Sequence, residues 1–377
     1  QRQMCIRDRP FCVRKCAYCD FLSFPSGAET QRMYAKRLVE DIDVMGKRYG
    51  EIPVETIFIG GGTPSVPDSG LIVEIMEHVR HAFHVADGAE ISMEANPGTV
   101  TREKLTDYRK AGINRLSFGL QSANDRELKL LGRIHTWAEF LESFTLAREC
   151  GFANLNIDLM SALPGQTCES WKETLSRVTA LDPEHISAYS LIIEEGTPFG
   201  ERYGSEEGRK LLPDEDSERE MYHETKRFLK DCGYERYEIS NYAKPGRECR
   251  HNIGYWTGVP YLGLGLGASS YLDGCRFSVN PDMKQYLEEK PGMFADIEKL
   301  TKKDMEEEFF YVGLRMTAGV SLSEFERRFG ISAKEVYPGL METFVKEKAA
   351  RFEGDRFVLT DYGLDVSNYI MAQFLQD

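Results

Sequence analysis

The sequence predicts an α/β protein: a partial, open barrel of six βα units followed by a small carboxyl-terminal unit. Two observations carry this. Strand-like runs near residues 57, 91, 116, 156 and 188 alternate with helical stretches, as repeated βα units around a parallel sheet do. A further strand is expected ahead of Pro10; that gives six units, too few to close an eight-stranded barrel. A length of 377 residues suits one large domain plus a small one.

Composition narrows the function. Lys and Arg total 47 against 61 Asp and Glu, a net charge of −14 that disfavours a nucleic-acid partner. There are nine cysteines, with Cys5, Cys150, Cys168, Cys232, Cys249 and Cys275 scattered and the other three clustered. An odd, uneven set argues for a reducing cytoplasm over a disulfide framework. No apolar run approaches the ~18 residues of a membrane span, and no secretory signal is present. Peripheral attachment at the inner membrane is not legible in the sequence.

In chain order, Gln1 to Arg9 fits the scheme badly. Arg2, Arg7, Asp8 and Arg9 break any strand pattern, so the segment is expected to be foreign or truncated sequence outside the fold. Cys12, Cys16 and Cys19 follow in CxxxCxxC spacing. Three thiolates holding a cubane cluster leave one iron open, whereas structural zinc would present a fourth ligand nearby. Phe21 stands where a further cysteine would most easily have fallen.

An amphipathic helix is expected over 30–49, then a strand at Thr56-Ile57-Phe58-Ile59 running into Gly60-Gly61-Gly62-Thr63-Pro64-Ser65. The glycines permit close backbone approach to a polar ligand, and equally an ordinary βα turn. Helix 66–84 carries His78, His81 and His84, a step that drifts around the surface and reads as a solvated face. Strand 90–94 places Glu94 on the carboxyl-end rim, where it could meet a ribose or amino group or be a solvated strand-end acid.

Helix 101–111 leads to strand 114–122, with Gln121 on the same rim. The helical stretch 128–150 is interrupted at Gly132-Arg133, and Arg133 offers a fork for a carboxylate or is an exposed helix charge. Asp158, in the buried-looking strand 154–160, needs partners to be tolerated. Strand 185–193 is the sixth. A loop or lid is expected at 194–216, then helix 217–232.

The second informative stretch is His251-Asn252-Ile253-Gly254-Tyr255-Trp256. A lone histidine is more often structural, and a Tyr-Trp pair more often core. Beyond it, helices near 306–315, 321–329 and 336–348 precede a hairpin at 351–360 turning on Gly354-Asp355, a winged-helix-like unit. The divisions read as 1–9, a barrel at 10–235, a connecting segment at 236–300 and a carboxyl-terminal unit at 301–377.

The CxxxCxxC spacing resembles the signature of the radical S-adenosylmethionine (SAM) superfamily. Pro10-Phe11-Cys12 through Tyr18-Cys19-Asp20 is similar to its coproporphyrinogen dehydrogenase-like branch, as are GGGTP at 60–64 and the Glu94-x-Asn96-Pro97 motif. The resemblance implies a partial (β/α)6 radical SAM barrel, a [4Fe-4S] cluster on Cys12, Cys16 and Cys19, and SAM on the open iron. It assigns to SAM the residues Tyr18, Gly61, Gly62, Thr63, Glu94, Gln121, Arg133, Asp158 and Ile192.

His251-Asn-x-x-Tyr-Trp256 resembles the heme-binding motif of HemW-type heme chaperones, with His251 as iron ligand. That branch lacks the further cysteine of the coproporphyrinogen dehydrogenases, and Phe21 occupies its position. The resemblance therefore implies a carrier of heme to acceptor heme proteins, respiratory and membrane-associated ones included. The alternative it leaves is an oxygen-independent coproporphyrinogen III dehydrogenase, in which a radical derived from SAM abstracts hydrogen from a propionate. The family's approach strand also carries a SAM-contacting tyrosine that Gln1 to Arg9 lacks, so weakened SAM binding is expected.

Overall fold

The computed structural model describes residues 2–375. Six strands, β1 (Arg2–Arg9), β2 (Val54–Gly61), β3 (Val85–Ala95), β4 (Arg115–Gln121), β5 (Leu155–Ser161) and β6 (His185–Ser190), pair in parallel and in sequence order.

The side chains alternate across this sheet. Ile57, Ile91, Met93, Leu116, Phe118, Leu155 and Ile157 belong to the main hydrophobic core. Their neighbours Thr56, Ser92, Glu94, Ser117, Asn156 and Asp158 project to the other, polar face. Asp158 thus sits in the period-2 alternation of Leu155-Asn156-Ile157-Asp158-Leu159.

Helices cross over between the strands: Ala28–Tyr49, Ser69–Ala82, Arg102–Lys110, the pair Asp125–Leu130 and Trp137–Glu149, and Cys168–Thr179. Their starts follow from local chemistry. Thr136 with Glu139 and Thr167 with Ser170 form reciprocal capping boxes, each contributing about 1 kcal/mol.

Two expectations are corrected. Residues 2–9 lie inside the fold, because β1 is a central strand whose backbone pairs on both edges, with β2 and with β9 (Tyr261–Leu264). Ladder hydrogen bonds use the backbone alone, so a strand with covered edges tolerates a sequence that reads poorly as a strand. Met4 and Gln3 are both buried. The segment at 194–216 is no open loop: it forms helices Pro198–Tyr203 and Glu206–Arg209, and Phe199 and Tyr203 are buried.

The segment at 236–300 does more than connect. β7 (Glu235–Arg236) and β8 (Asn241–Ala243) add antiparallel strands beyond β6. On the other side β10 (Ser269–Leu272), β11 (Cys275–Ser278) and β12 (Ala295–Lys299) extend the sheet beyond β9, to twelve strands in all among the described residues. The two ends do not pair with each other, so the sheet stays open.

The carboxyl-terminal unit has its own core around Phe310, Phe325, Phe357 and Phe374. It contains a three-stranded sheet of β13 (Val320–Ser321), β14 (Ala350–Glu353) and β15 (Arg356–Leu359), with the expected hairpin between the last two. It docks on the barrel through the Thr317 N–H to the Tyr237 carbonyl, 3.0 Å, and through Lys226 paired with Asp361.

Candidate functional site

The concave face of β2–β6 and the loops at their carboxyl ends enclose a cavity of about 850 Å³. All thirteen residues singled out in the sequence line it: Cys12, Cys16, Cys19, Tyr18, Gly61, Gly62, Thr63, Glu94, Gln121, Arg133, Asp158, Ile192 and His251. Each sits where it does for a local reason.

The cysteine loop is clamped to its surroundings. The Ala17 N–H donates to the Leu131 carbonyl at 3.0 Å, and the Phe199 N–H to the Ala17 carbonyl at 2.9 Å. Gly132, at φ 77°, makes this approach possible, since a Cβ there would stand 3.3 Å from the Ala17 nitrogen. Tyr18 packs against Phe199, and burial pushes its phenol pKa up. Burial also pushes the Cys19 thiol up, so a thiolate there needs positive charge beside it.

A hydrogen-bonded chain links the loop to the strand ends. Cys12 Sγ lies 3.4 Å from Thr63 Oγ1, and Thr63 Oγ1 accepts from Asn96 Nδ2 at 2.6 Å. Asn96 Oδ1 accepts from Arg133 Nη2 at 2.6 Å, and Arg133 Nη1 reaches Cys16 Sγ at 3.4 Å. Arg133 is therefore a positioned interior cation and no exposed helix charge. Glu94 accepts from the Gly61 N–H at 2.9 Å. Gln121, at φ 76°, accepts from the Tyr189 hydroxyl at 2.9 Å.

Asp158 receives Asn156 Nδ2 at 2.7 Å and the Ser117 hydroxyl at 3.1 Å, the partners its burial demands. Desolvation still raises its carboxyl pKa. Ile192, 69% exposed, and Phe21, 57% exposed, both line the cavity.

His251 is in the wall and buried, on the helix Arg250–Trp256. Its Nδ1 lies 2.8 Å from Thr56 Oγ1, its Nε2 lies 3.1 Å from the Tyr255 hydroxyl, and its ring stacks on Phe58 at 5.2 Å. The Cys249 side chain caps nothing, and the first amides of this helix donate instead to Glu90: Arg250 N–H and His251 N–H, each at 3.1 Å. From β1, Gln3 Nε2 donates to the Arg250 and His251 carbonyls at 3.2 and 2.8 Å.

Sequence reading gave no role to Gln3, Glu90 and Asn96, nor to Arg115 on the cavity floor and the buried His185. Of these only Asn96, two residues after Glu94 in the motif, carried a signal.

The radical SAM superfamily matches residues 7–178 of this chain and the HemN C-terminal domain matches residues 300–366. The heme chaperone HemW of Bacillus subtilis is 35% identical over 371 residues, covering 97% of this chain and 97% of that protein. HemW of Escherichia coli is 34% identical over 375 residues, covering 98% and 97%. This chain belongs to the HemW family of radical SAM proteins. The coproporphyrinogen III oxidase HemN of Escherichia coli shares the fold at a TM-score of 0.85, covering 100% of this chain and 90% of that one at 22% identity.

Radical SAM proteins carry a [4Fe-4S] cluster and SAM, and the residues present fit both. Three free thiols open on one cavity, with the Arg133 guanidinium beside Cys16 to balance thiolate charge. Among the described residues no three ligand side chains converge on a single ion. A cubane has no such need, because each thiolate takes a different iron. Arg133 and Arg115, both lining the cavity, each leave Nε buried without a hydrogen-bond partner, which suits a ligand bearing a carboxylate. No helix among the described residues is long and apolar enough to cross a membrane.

Proposed function

We propose that this chain is a heme chaperone: it binds heme and passes it to acceptor heme proteins, respiratory ones among them, from a cytoplasmic position. Cys12, Cys16 and Cys19 hold the cluster; Arg133, Glu94, Gln121, Asp158 and the glycine strand end hold SAM. The single observation that carries this is the helix Arg250–Trp256 set into the wall of the cluster cavity by contacts from β1, β2 and β3. Thr56 and Phe58 of β2 hold the imidazole while Gln3 of β1 and Glu90 of β3 hold its backbone, more than core packing alone asks of a lone histidine. An exposed Phe21 at the mouth, where a dehydrogenase carries a thiol, weighs against the enzymatic alternative.

Both His251 nitrogens meet hydroxyls, so iron would reach Nε2 by replacing the Tyr255 hydroxyl. An anaerobic heme titration of the cluster-loaded protein, followed by visible absorption, tests this. Stoichiometric binding is expected in the parent, loss in His251→Ala, and binding at least as tight in Tyr255→Phe, where the competing hydroxyl is gone. A parent that takes up no heme overturns the reading.

A further inference from the structure

A second cavity, about 780 Å³, lies where the helix Arg250–Trp256 and the strands β9–β11 face the carboxyl-terminal unit. Tyr255, Trp256, Tyr261, Tyr271 and Phe309 give it flat, largely apolar walls. Tyr255 and Tyr261 meet edge to face at 4.8 Å, and the buried Trp256 indole N–H has no hydrogen-bond partner.

Its charges are uneven. Arg276, Lys302, Arg328 and Arg356 line it against Glu308 and Glu324 alone, in a chain whose net charge is −14. Two of these cations lie over the aromatic walls. Arg276 donates to Glu308 at 2.9 Å and lies 5.4 Å from the Tyr271 ring centre; Arg328 donates to Glu324 at 2.5 Å and lies 5.5 Å from that of Phe309.

We infer that this cavity seats the porphyrin of heme, with the macrocycle between the aromatic walls and its two propionates on Arg276 and Arg328. The inference rests on the heme-chaperone reading and adds the place. Aromatic faces stack on a macrocycle, arginines that now pair with Glu308 and Glu324 can exchange them for propionates, and the cationic surplus offsets a dianion.

The first cavity is the poorer seat. Its floor of Arg115, Asp158, Asn156 and Gln121 is polar, and an apolar ring over it would leave the buried Arg115 Nε without a partner; the cluster and SAM also claim its volume. Tyr255 belongs to both walls, and its hydroxyl meets His251. One side chain therefore separates the imidazole from the porphyrin, and swinging it aside joins the two.

The test is an anaerobic titration of the full, cluster-loaded chain with heme and with heme dimethyl ester, whose propionates are blocked. Val312→Trp fills the cavity from the helix Lys302–Gly313, and Arg276→Gln/Arg328→Gln removes the two forks. SAM binding in the first cavity reports that each variant is folded. Val312→Trp is expected to weaken heme binding at least about tenfold; the double variant is expected to weaken heme similarly and to abolish the parent's preference for heme over the ester. If the parent binds heme and both variants match it, with the same preference, the placement is overturned and the chaperone reading stands. If the parent binds none, both fall. If Val312→Trp loses SAM as well, the double variant and the ester decide.

Discussion

Arg133 shows how a single residue changes meaning once its neighbours are known. Its guanidinium bonds Asn96 and the Gly119 carbonyl and reaches Cys16, so one planar fork links the cluster loop to the ends of β3 and β4. A lysine offers a point charge without that geometry. Arg133→Lys is expected to keep the charge and lose about ten- to a hundredfold in SAM affinity, measured calorimetrically on cluster-loaded protein; affinity within twofold of the parent would reduce Arg133 to a mere counter-charge. The residues carrying this chemistry were legible because their types are rare at those spacings: three thiols in CxxxCxxC, glycines after a strand, an acid at a strand end. Gln3 and Glu90 were not legible. Both act through a helix that is 247 and 160 residues away in sequence, and nothing local marks them.

Among the elements, the helix Arg250–Trp256 depends most on others. Seven residues are too few to be stable alone, and its ends are satisfied by Glu90 and Gln3. Gly254 lets β1 come this close, since a Cβ there would fall 1.7 Å from Gln3 Nε2. Gly254→Ala is expected to push Gln3 off both carbonyls and to cost roughly 1–3 kcal/mol, the penalty of buried groups left unpaired, less the helical gain of alanine. Urea unfolding measures it, and a variant as stable as the parent would show that Gln3 finds room. The sequence located this motif but could not say that its glycine is a contact. At the same scale, β1 was unreadable because its backbone, more than its side chains, places it; the short strands of 236–300 were unreadable because two to five residues carry too little periodicity.

For the whole molecule, the polar concave face sets a dependence on pH. His185, fully buried, takes Asn156 Oδ1 at 2.6 Å and the Tyr237 hydroxyl at 2.8 Å, and burial holds its pKa well below 6.5. His135 is pushed down to about 3, first by burial and then by the Arg133 charge. Unfolded, both imidazoles take a proton as pH falls through about 6.5; folded, they refuse it, so the unfolded chain binds more protons and stability falls below that pH. Asp158, whose pKa burial raises, acts in the opposite sense. The expected slope from His185 is about 1.4 kcal/mol per pH unit below ~6, read as the difference between parent and His185→Gln in urea midpoints; parallel profiles would refute it. The placing of β1 reaches further, into the history of each molecule. One of its edges pairs with β2 at Val54–Gly61, the other with β9 at Tyr261–Leu264. A ribosome releases the first strand of the sheet some two hundred and fifty residues before its last neighbour exists. Until then a row of backbone donors and acceptors beside the nascent cysteine loop lies uncovered, open to pairing with any stray strand.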